Sequence, residues 1–186
     1  MKINSIQTFD IEGLKVIEPA VFGDDRGYFF ETYNEQDLLA IGITNKFVQD
    51  NESKSCRNVL RGLHYQVGKP QAKLVRVMQG EVFDVAVDLR PNSPTFGKWQ
   101  GVVLSGENKK MFYIPRGFAH GFCVMSDTAV FSYKCDNFWY KEGERGVIYN
   151  DPKLCINWGD YIDLDNVILS DKDKLHPSIE EAELDE

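Results

Sequence analysis

Short runs of β-branched and aromatic residues, each ended by glycine or by a Pro, Asn or Asp turn, occupy the chain from about residue 14 to residue 150. This spacing is typical of β-sandwiches and β-barrels. Segment 81–89 (EVFDVAVDL) has the period-2 alternation of a strand with one face fully buried. The strands we predict are Gly27–Tyr33, Phe47–Asn51, Val59–Tyr65, Lys73–Met78, Glu81–Leu89, Gly101–Leu104, Lys110–Ile114 and Ala129–Cys135.

Helical patterns are scarce. One short helix is predicted at Glu35–Ile41, where Asn34 is a suitable N-cap, and another at Ser178–Leu184 after Pro177. The fold class is therefore all-β, a jelly-roll β-barrel or β-sandwich with a few short helices. Such folds can enclose a ligand cavity, so polar residues that point inward from the strands are the first candidates for a site.

Composition limits the possible partners and compartments. A length of 186 residues with 42% hydrophobic residues, and without repeats or linkers, fits one domain over residues 1–186. A net charge of −8 argues against nucleic-acid binding, and Arg116 interrupts the richest apolar run, so no membrane span is expected. Four cysteines without CxxC spacing, and no signal-peptide pattern, favour buried thiols in the cytoplasm.

Sequence motifs argue against several kinds of chemistry. None of the three histidines, His64, His120 and His176, has another His or a Cys at metal-ligand spacing, so no metal site is expected. The chain also lacks the GxGxxG, P-loop and GxSxG motifs. What remains is acid–base chemistry by side chains alone, without a cofactor.

Three strand residues are candidates for that chemistry. Alternation in LRGLHYQ places His64 on one face with Leu60, Gly62 and Gln66, and the same rule points Lys73 and Tyr133 along the apolar faces of their strands. A core histidine bonded to a backbone carbonyl, or a core tyrosine, is the ordinary alternative. For Lys73, either the side chain points into the barrel or its strand lies at a sheet edge, and an inward lysine needs a functional reason.

Six blocks taken together resemble one family. GDDRGYFFETYN, FVQDNESKS, LRGLHYQ, KLVRVMQGEVFDVAVDLR, ENKKMFYIPRGFAHGF and LSDKD, from residue 15 to about 175, resemble the dTDP-4-dehydrorhamnose 3,5-epimerases in order and content. The resemblance implies a cupin-type jelly roll, a homodimer, no metal or organic cofactor, and dTDP-4-dehydro-6-deoxy-D-glucose as substrate.

The resemblance also implies roles for individual residues. His64 corresponds to the catalytic base, Asp173 to its carboxylate partner, Lys73 to the donor at the 4-keto oxygen and Tyr133 to the proton donor on the opposite face. Arg26 and Glu31 correspond to nucleotide contacts made across the dimer interface. The other substrate contacts implied are Gln49, Asp50, Asn51, Arg61, His120, Trp139, Glu144 and Lys172.

One position departs from the family: Trp139 stands where a tyrosine usually stacks on thymine. Alternatively, a shift of one residue would present Tyr140 at that position. Tryptophan keeps a large face for stacking. Three alternatives stay open at this point: a single-site 3- or 5-epimerase, a metal-dependent cupin enzyme and a nucleotide-sugar binding module without activity.

Overall fold

The computed structural model describes residues 1–185 and contains two packed β-sheets. The strands are β1 (Ile3–Thr8), β2 (Lys15–Pro19), β3 (Phe22–Asp24), β4 (Gly27–Phe29), β5 (Gln49–Cys56), β6 (Leu60–Gln66), β7 (Lys73–Gln79), β8 (Glu81–Asp88), β9 (Trp99–Ser105), β10 (Met111–Ile114), β11 (Phe118–Val124), β12 (Thr128–Cys135) and β13 (Glu144–Gly146). One α-helix, α1 (Glu35–Ala40), and four 3₁₀ turns (Lys141–Gly143, Trp158–Asp160, Leu164–Asn166, Asp173–Leu175) complete the described elements.

The strand order confirms the predicted all-β class and selects the sandwich. A six-stranded sheet runs β1-β2-β10-β7-β12-β5, a five-stranded sheet runs β13-β6-β11-β8-β9, and β3 and β4 form a separate hairpin. The main core lies between the two larger sheets, where Val75 and Phe131 of the first pack with Val82 and Phe122 of the second. Burial of these facing side chains is the dominant stabilising contribution.

Strand β8 shows where periodicity alone was wrong. The alternation of residues 81–89 predicts one fully buried face, but both faces of β8 are buried. Val82 and Ala86 enter the inter-sheet core, whereas Phe83 and Val85 enter a second core on the outer face. This outer core forms because the C-terminal part of the chain, including Trp158, covers the five-stranded sheet.

The two predicted helices had different outcomes. Helix α1 is confirmed: the Asn34 side chain accepts hydrogen bonds from the backbone N–H groups of Gln36 and Asp37. The helix predicted at Ser178–Leu184 was wrong, since the segment forms only a turn, in which the Glu181 N–H donates to the Ser178 carbonyl. Contacts with the rest of the fold position the residues that follow, because the Tyr65 hydroxyl donates to the Glu183 carbonyl at 2.7 Å and the Gly68 N–H donates to Asp185 at 2.7 Å.

Two further predictions concern the burial of the cysteines and the absence of a membrane span. Cys123 and Cys135 are buried as expected, whereas Cys56 and Cys155 are exposed, so the expectation of four buried thiols was wrong. Within residues 1–185, no helix has the length and apolar character needed to cross a membrane.

Candidate active site

A cavity of about 940 Å³ opens between the two larger sheets and collects most of the predicted catalytic residues. Lys73 and Tyr133 line it from the six-stranded sheet, and His64 lines it from the five-stranded sheet. The cavity is large enough for a nucleotide sugar, and more than half of the residues that line it are polar or charged.

Strand pairing explains the six-stranded wall. Tyr133 lies directly opposite Asn51 of β5, and Lys73 lies opposite Cys135, two residues beyond Tyr133 on β12. Because alternate residues share a face, Lys73, Tyr133 and Asn51 all point to the same side. Of the two alternatives for Lys73, the inward one is observed, because β7 lies between β10 and β12 rather than at a sheet edge. Its Nζ lies 5.9 Å from the centre of the Tyr133 ring.

The five-stranded wall carries two histidines. His64 of β6 pairs directly with His120 of β11, and His120 Nε2 lies 2.9 Å from a carboxylate oxygen of the fully buried Asp84. Alternation along β6 is broken, however, since Leu60 and Leu63 belong to the same outer core. The predicted sharing of one face by Leu60 and His64 was therefore wrong.

The break in β6 lies beside Gly62. A Cβ added there would fall 2.6 Å from the Cα of Gly121, so only glycine allows this approach of the two backbones. The pairing of β6 with β11 is also irregular between His120 and Phe122. Gly62 thus makes room for strand β11.

His64 and Asp173 form a tight pair. Nε2 of His64 lies 2.5 Å from Oδ1 of Asp173, and the Ser170 hydroxyl donates to Oδ2 at 2.8 Å. Burial by itself raises the pKa of Asp173, but the hydrogen bonds from His64 and Ser170 outweigh it and leave that pKa below its usual value. An ionised Asp173 that accepts from Nε2 leaves Nδ1 of His64 as the ring nitrogen with a free lone pair.

Burial also tunes the polar groups around the cavity. It lowers the pKa of Lys73 and raises the pKa of the Tyr133 phenol, so the phenol stays protonated near neutral pH. Burial likewise lowers the pKa of His120, with Asp84 acting in the opposite direction. The site therefore combines a neutral acid, a buried amine and two histidines.

Four of the predicted substrate contacts line the same cavity: Gln49, Asn51, Trp139 and Glu144. Trp139 is more than half exposed, and its backbone N–H donates to the Gln49 side chain at 2.9 Å. Tyr140 packs instead under the ammonium of Lys69 and is not part of the cavity wall. Of the two aromatic residues that the sequence left open, Trp139 is the one that faces the cavity.

Other predicted contacts lie beside the cavity. Lys172 forms an ion pair with Glu144 at 2.7 Å, and the Arg61 guanidinium donates to Ser55 at 3.1 Å. Asp50 bonds Lys134 and lines a separate cavity of about 360 Å³, of which Tyr133 and Asn51 are also part.

Arg26 and Glu31 do not line the cavity of their own chain. Arg26 is exposed and bonds Asp24 in the β3–β4 hairpin, while Glu31 pairs with the amino group of Met1 at 2.7 Å. Their predicted role across a dimer interface stays a prediction.

Sequence reasoning missed three residues of the site, namely Asp84, Ser170 and His176. An acid in the middle of an apolar strand was a usable signal for Asp84, and the spacing of three between Ser170 and Asp173 was one for Ser170. No sequence signal marked His176 as a neighbour of His64, because 112 residues separate them. Their ring centres are nevertheless 5.5 Å apart. Sequence spacing excluded only local sets of metal ligands, whereas tertiary contacts bring one potential ligand atom each from His64, Asp173 and His176 within 4.8 Å of one another.

Comparison with known proteins agrees with this geometry. The sequence model of the dTDP-4-dehydrorhamnose 3,5-epimerase family matches residues 8–181. This chain belongs to that family. The dTDP-4-dehydrorhamnose 3,5-epimerase of Shigella flexneri is 54% identical over 173 residues, which cover 92% of this chain and 93% of the relative.

Solved structures of family members superpose closely on the chain. The dTDP-6-deoxy-D-glucose-3,5-epimerase of Legionella pneumophila, in complex with dTDP-4-keto-L-rhamnose, is 50% identical with a TM-score of 0.91, covering 95% of this chain and 93% of its own. The dTDP-4-dehydrorhamnose 3,5-epimerase of Elizabethkingia anophelis is 53% identical with a TM-score of 0.90, covering 97% and 98%. The 3,5-epimerase fold therefore extends over nearly the whole chain.

Proposed function

We propose that this protein epimerises C3 and C5 of dTDP-4-dehydro-6-deoxy-D-glucose to form dTDP-4-dehydro-L-rhamnose. The main observation that supports this proposal is that His64 and Tyr133 lie on opposite walls of one cavity. Inversion requires a proton to leave one face of the sugar and another to arrive on the opposite face. A base on one sheet and an acid on the other supply these two faces.

His64 acts as the base through Nδ1. Its Nε2 hydrogen is held by Asp173, so the tautomer with a free Nδ1 lone pair is the stable one. An imidazole side chain can accept and release protons near neutral pH, which suits general base catalysis. Asp173 contributes by orienting the ring and by stabilising the imidazolium that forms.

Lys73 stabilises the intermediate. Loss of a proton beside the 4-keto group leaves an enolate, whose charge lies largely on the keto oxygen. Lys73 is on the same wall as Tyr133 and is mostly shielded from water, where a positive donor is most effective. Tyr133 then delivers a proton to carbon from the face opposite His64.

The remaining contacts hold the rest of the substrate. We assign base stacking to Trp139, hydrogen bonding to Gln49 and Asn51, and the sugar and phosphate region to the residues around Glu144, namely Arg61, His120 and Lys172. Asp50 supports the same wall through Lys134. In a homodimer, Arg26 and Glu31 would reach the nucleotide of the partner subunit, which agrees with their exposed position outside their own cavity.

The cellular setting follows from the same proposal. The four cysteines are all free, which agrees with a reducing compartment, and dTDP-sugars are the expected partners rather than nucleic acid or membranes. We therefore expect the enzyme to act in the cytoplasm.

The test is an NMR time course of dTDP-4-dehydro-6-deoxy-D-glucose with the protein in D₂O. We expect deuterium at both C3 and C5 and formation of the L-sugar. Deuterium at a single carbon would instead favour the single-site epimerase. The His64→Ala variant is the control: it should bind dTDP nearly normally but exchange neither position, and exchange at the wild-type rate would contradict the proposal.

A further inference from the structure

Two imidazoles converge on one carboxylate oxygen at the edge of the site. Oδ1 of Asp173 lies 2.5 Å from Nε2 of His64 and 3.4 Å from Nε2 of His176. These three potential metal-ligand atoms lie within 4.8 Å of one another, and no other group of three or more His, Cys, Asp or Glu ligand atoms comes together in this way in residues 1–185. The proposed reaction uses His64 and Asp173 but assigns nothing to His176.

His176 is held rigidly in this position. Its side chain is only 8% exposed, and the ring meets His64 edge-on with an angle of 76° between the two planes. Gly146 packs against the other side, where an added Cβ would lie within van der Waals overlap of the imidazole. The backbone is fixed as well, because the carbonyl of Pro177 accepts a hydrogen bond from Ile148 at 2.8 Å.

The orientation of His176 points to a missing ligand. Its Nε2 is buried, and its 3.4 Å contact with Asp173 lacks the alignment of a hydrogen bond, so this nitrogen makes no hydrogen bond within the described part of the chain. A buried polar nitrogen that makes no hydrogen bond is energetically unfavourable. Burial of this atom beside a second imidazole and a carboxylate is the arrangement expected where a cation completes the set.

We propose that His64, Asp173 and His176 bind one Zn²⁺ ion, and that this ion inhibits the enzyme. Imidazole nitrogen and carboxylate oxygen are favoured zinc ligands, whereas Mg²⁺ and Ca²⁺ prefer sites made only of oxygen. Bonds of about 2.0–2.2 Å in tetrahedral geometry place ligand atoms roughly 3.3 Å apart. The His176–Asp173 pair is already at 3.4 Å and the shorter His64–Asp173 contact has to open. The two imidazole nitrogens, which lie within 4.8 Å of each other, have to adjust to the same separation.

Inhibition follows from the proton positions on His64. In the free enzyme Nε2 carries the hydrogen that Asp173 accepts, and Nδ1 has the free lone pair. Zinc needs the lone pair of Nε2, so the single hydrogen of the neutral ring moves through solvent to Nδ1. No proton is gained or lost, but Nδ1 can no longer accept one from the substrate. The predicted inhibition rests on the proposed role of His64 as base. The predicted binding of zinc is independent of that role.

Binding is tested first, without reference to activity. Isothermal titration with Zn²⁺, and the visible absorption of Co²⁺ in its place, should detect one site per wild-type chain. His176→Gln should weaken binding by at least the ~10–100-fold that loss of even an outer zinc partner causes. His176→Cys, which restores a zinc ligand, should bind far more tightly than His176→Gln. Equal Zn²⁺ affinity in wild type and His176→Gln would overturn the proposal.

Two controls locate the bound ion. The exposed thiols of Cys56 and Cys155 could also bind zinc, so the Cys56→Ser/Cys155→Ser variant should keep the wild-type affinity. If this variant loses the site, the proposal is wrong. A zinc soak of wild-type crystals needs no substitution at all, and an anomalous peak should lie within bonding distance of His64, Asp173 and His176.

The activity measurement then tests the inhibition. For each variant, the rate with Zn²⁺ is divided by its own rate with EDTA. The wild-type ratio should fall towards zero as the site fills, while His176→Gln should need at least tenfold more Zn²⁺ for the same fall, and Mg²⁺ should have no effect. Zinc bound at the three residues without loss of activity would refute the inhibition and, separately, the role of Nδ1 of His64 as base.

Discussion

Asp173→Asn tests the tautomer on which the proposed mechanism depends. The substitution keeps the shape of the side chain but replaces one carboxylate oxygen by an NH₂ group. Ser170 donates its hydroxyl hydrogen to Oδ2, so the oxygen of the introduced amide is favoured at that position. The NH₂ group then occupies the Oδ1 position, 2.5 Å from Nε2 of His64 in the wild type.

An amide N–H facing Nε2 reverses the tautomer. Nε2 must then accept a hydrogen bond, and the ring hydrogen moves to Nδ1, which faces the substrate as a donor rather than as a base. General base catalysis typically contributes 10²–10⁴ in rate. We therefore expect kcat to fall by about 10²–10⁴, or about 3–5 kcal/mol in activation free energy, with little change in dTDP affinity.

The assay is the rate of deuterium incorporation at C3 and C5 in D₂O, with dTDP binding measured by calorimetry. Ser170→Ala provides the matched control. Without the Ser170 hydroxyl, the amide introduced by Asp173→Asn is free to turn its oxygen towards His64. The double variant Asp173→Asn/Ser170→Ala should therefore exchange faster than Asp173→Asn alone. A loss of less than tenfold in Asp173→Asn would refute the tautomer argument.

Four further outcomes are expected. Tyr133→Phe should still form the enolate, so solvent exchange should outpace formation of the L-sugar; an equal loss of both would show that Tyr133 is needed for proton removal. Arg26→Ala should raise KM far more than it lowers kcat, since nucleotide binding is uniform between ground and transition states, and the reverse pattern in steady-state kinetics would contradict this. Dialysis against EDTA should leave activity unchanged or higher, and a loss that a divalent ion restores would contradict cofactor-free catalysis. Asp88 is fully buried; burial raises its pKa, but hydrogen bonds from Arg90, Ser93 and Thr95 outweigh burial and lower the pKa to about 2. Its ionised form therefore stabilises the fold by about 2 kcal/mol above the unfolded pKa of about 3.9. Asp88→Asn should unfold at lower urea concentration than the wild type at pH 7, and this difference should shrink as the pH falls from 4 to 2.

Local rules were sufficient for much of the fold. The period-2 pattern identified β8, and the cap at Asn34 identified α1, because each depends on neighbours within a few residues. Alternation likewise placed Lys73 on an apolar face, but the central position of β7 in its sheet was needed to select the inward alternative. Strand β11, in contrast, was not predicted: all seven of its residues are buried, so a central strand covered on both faces has no polar alternation to recognise.

The site itself depended on tertiary structure. His64 and Asp173 are 109 residues apart, and no spacing rule predicts their contact; only the resemblance to a family suggested it. The position of His176 beside them had no signal in the sequence at all. The segment Ser178–Leu184 had a helical pattern, but it forms only one turn and then contacts Tyr65 through the Glu183 carbonyl. The sequence by itself determined many of the strands, helix α1 and the chemical character of the site. The packing of distant segments decided which polar groups meet, because those contacts form only once segments far apart in the chain are folded together.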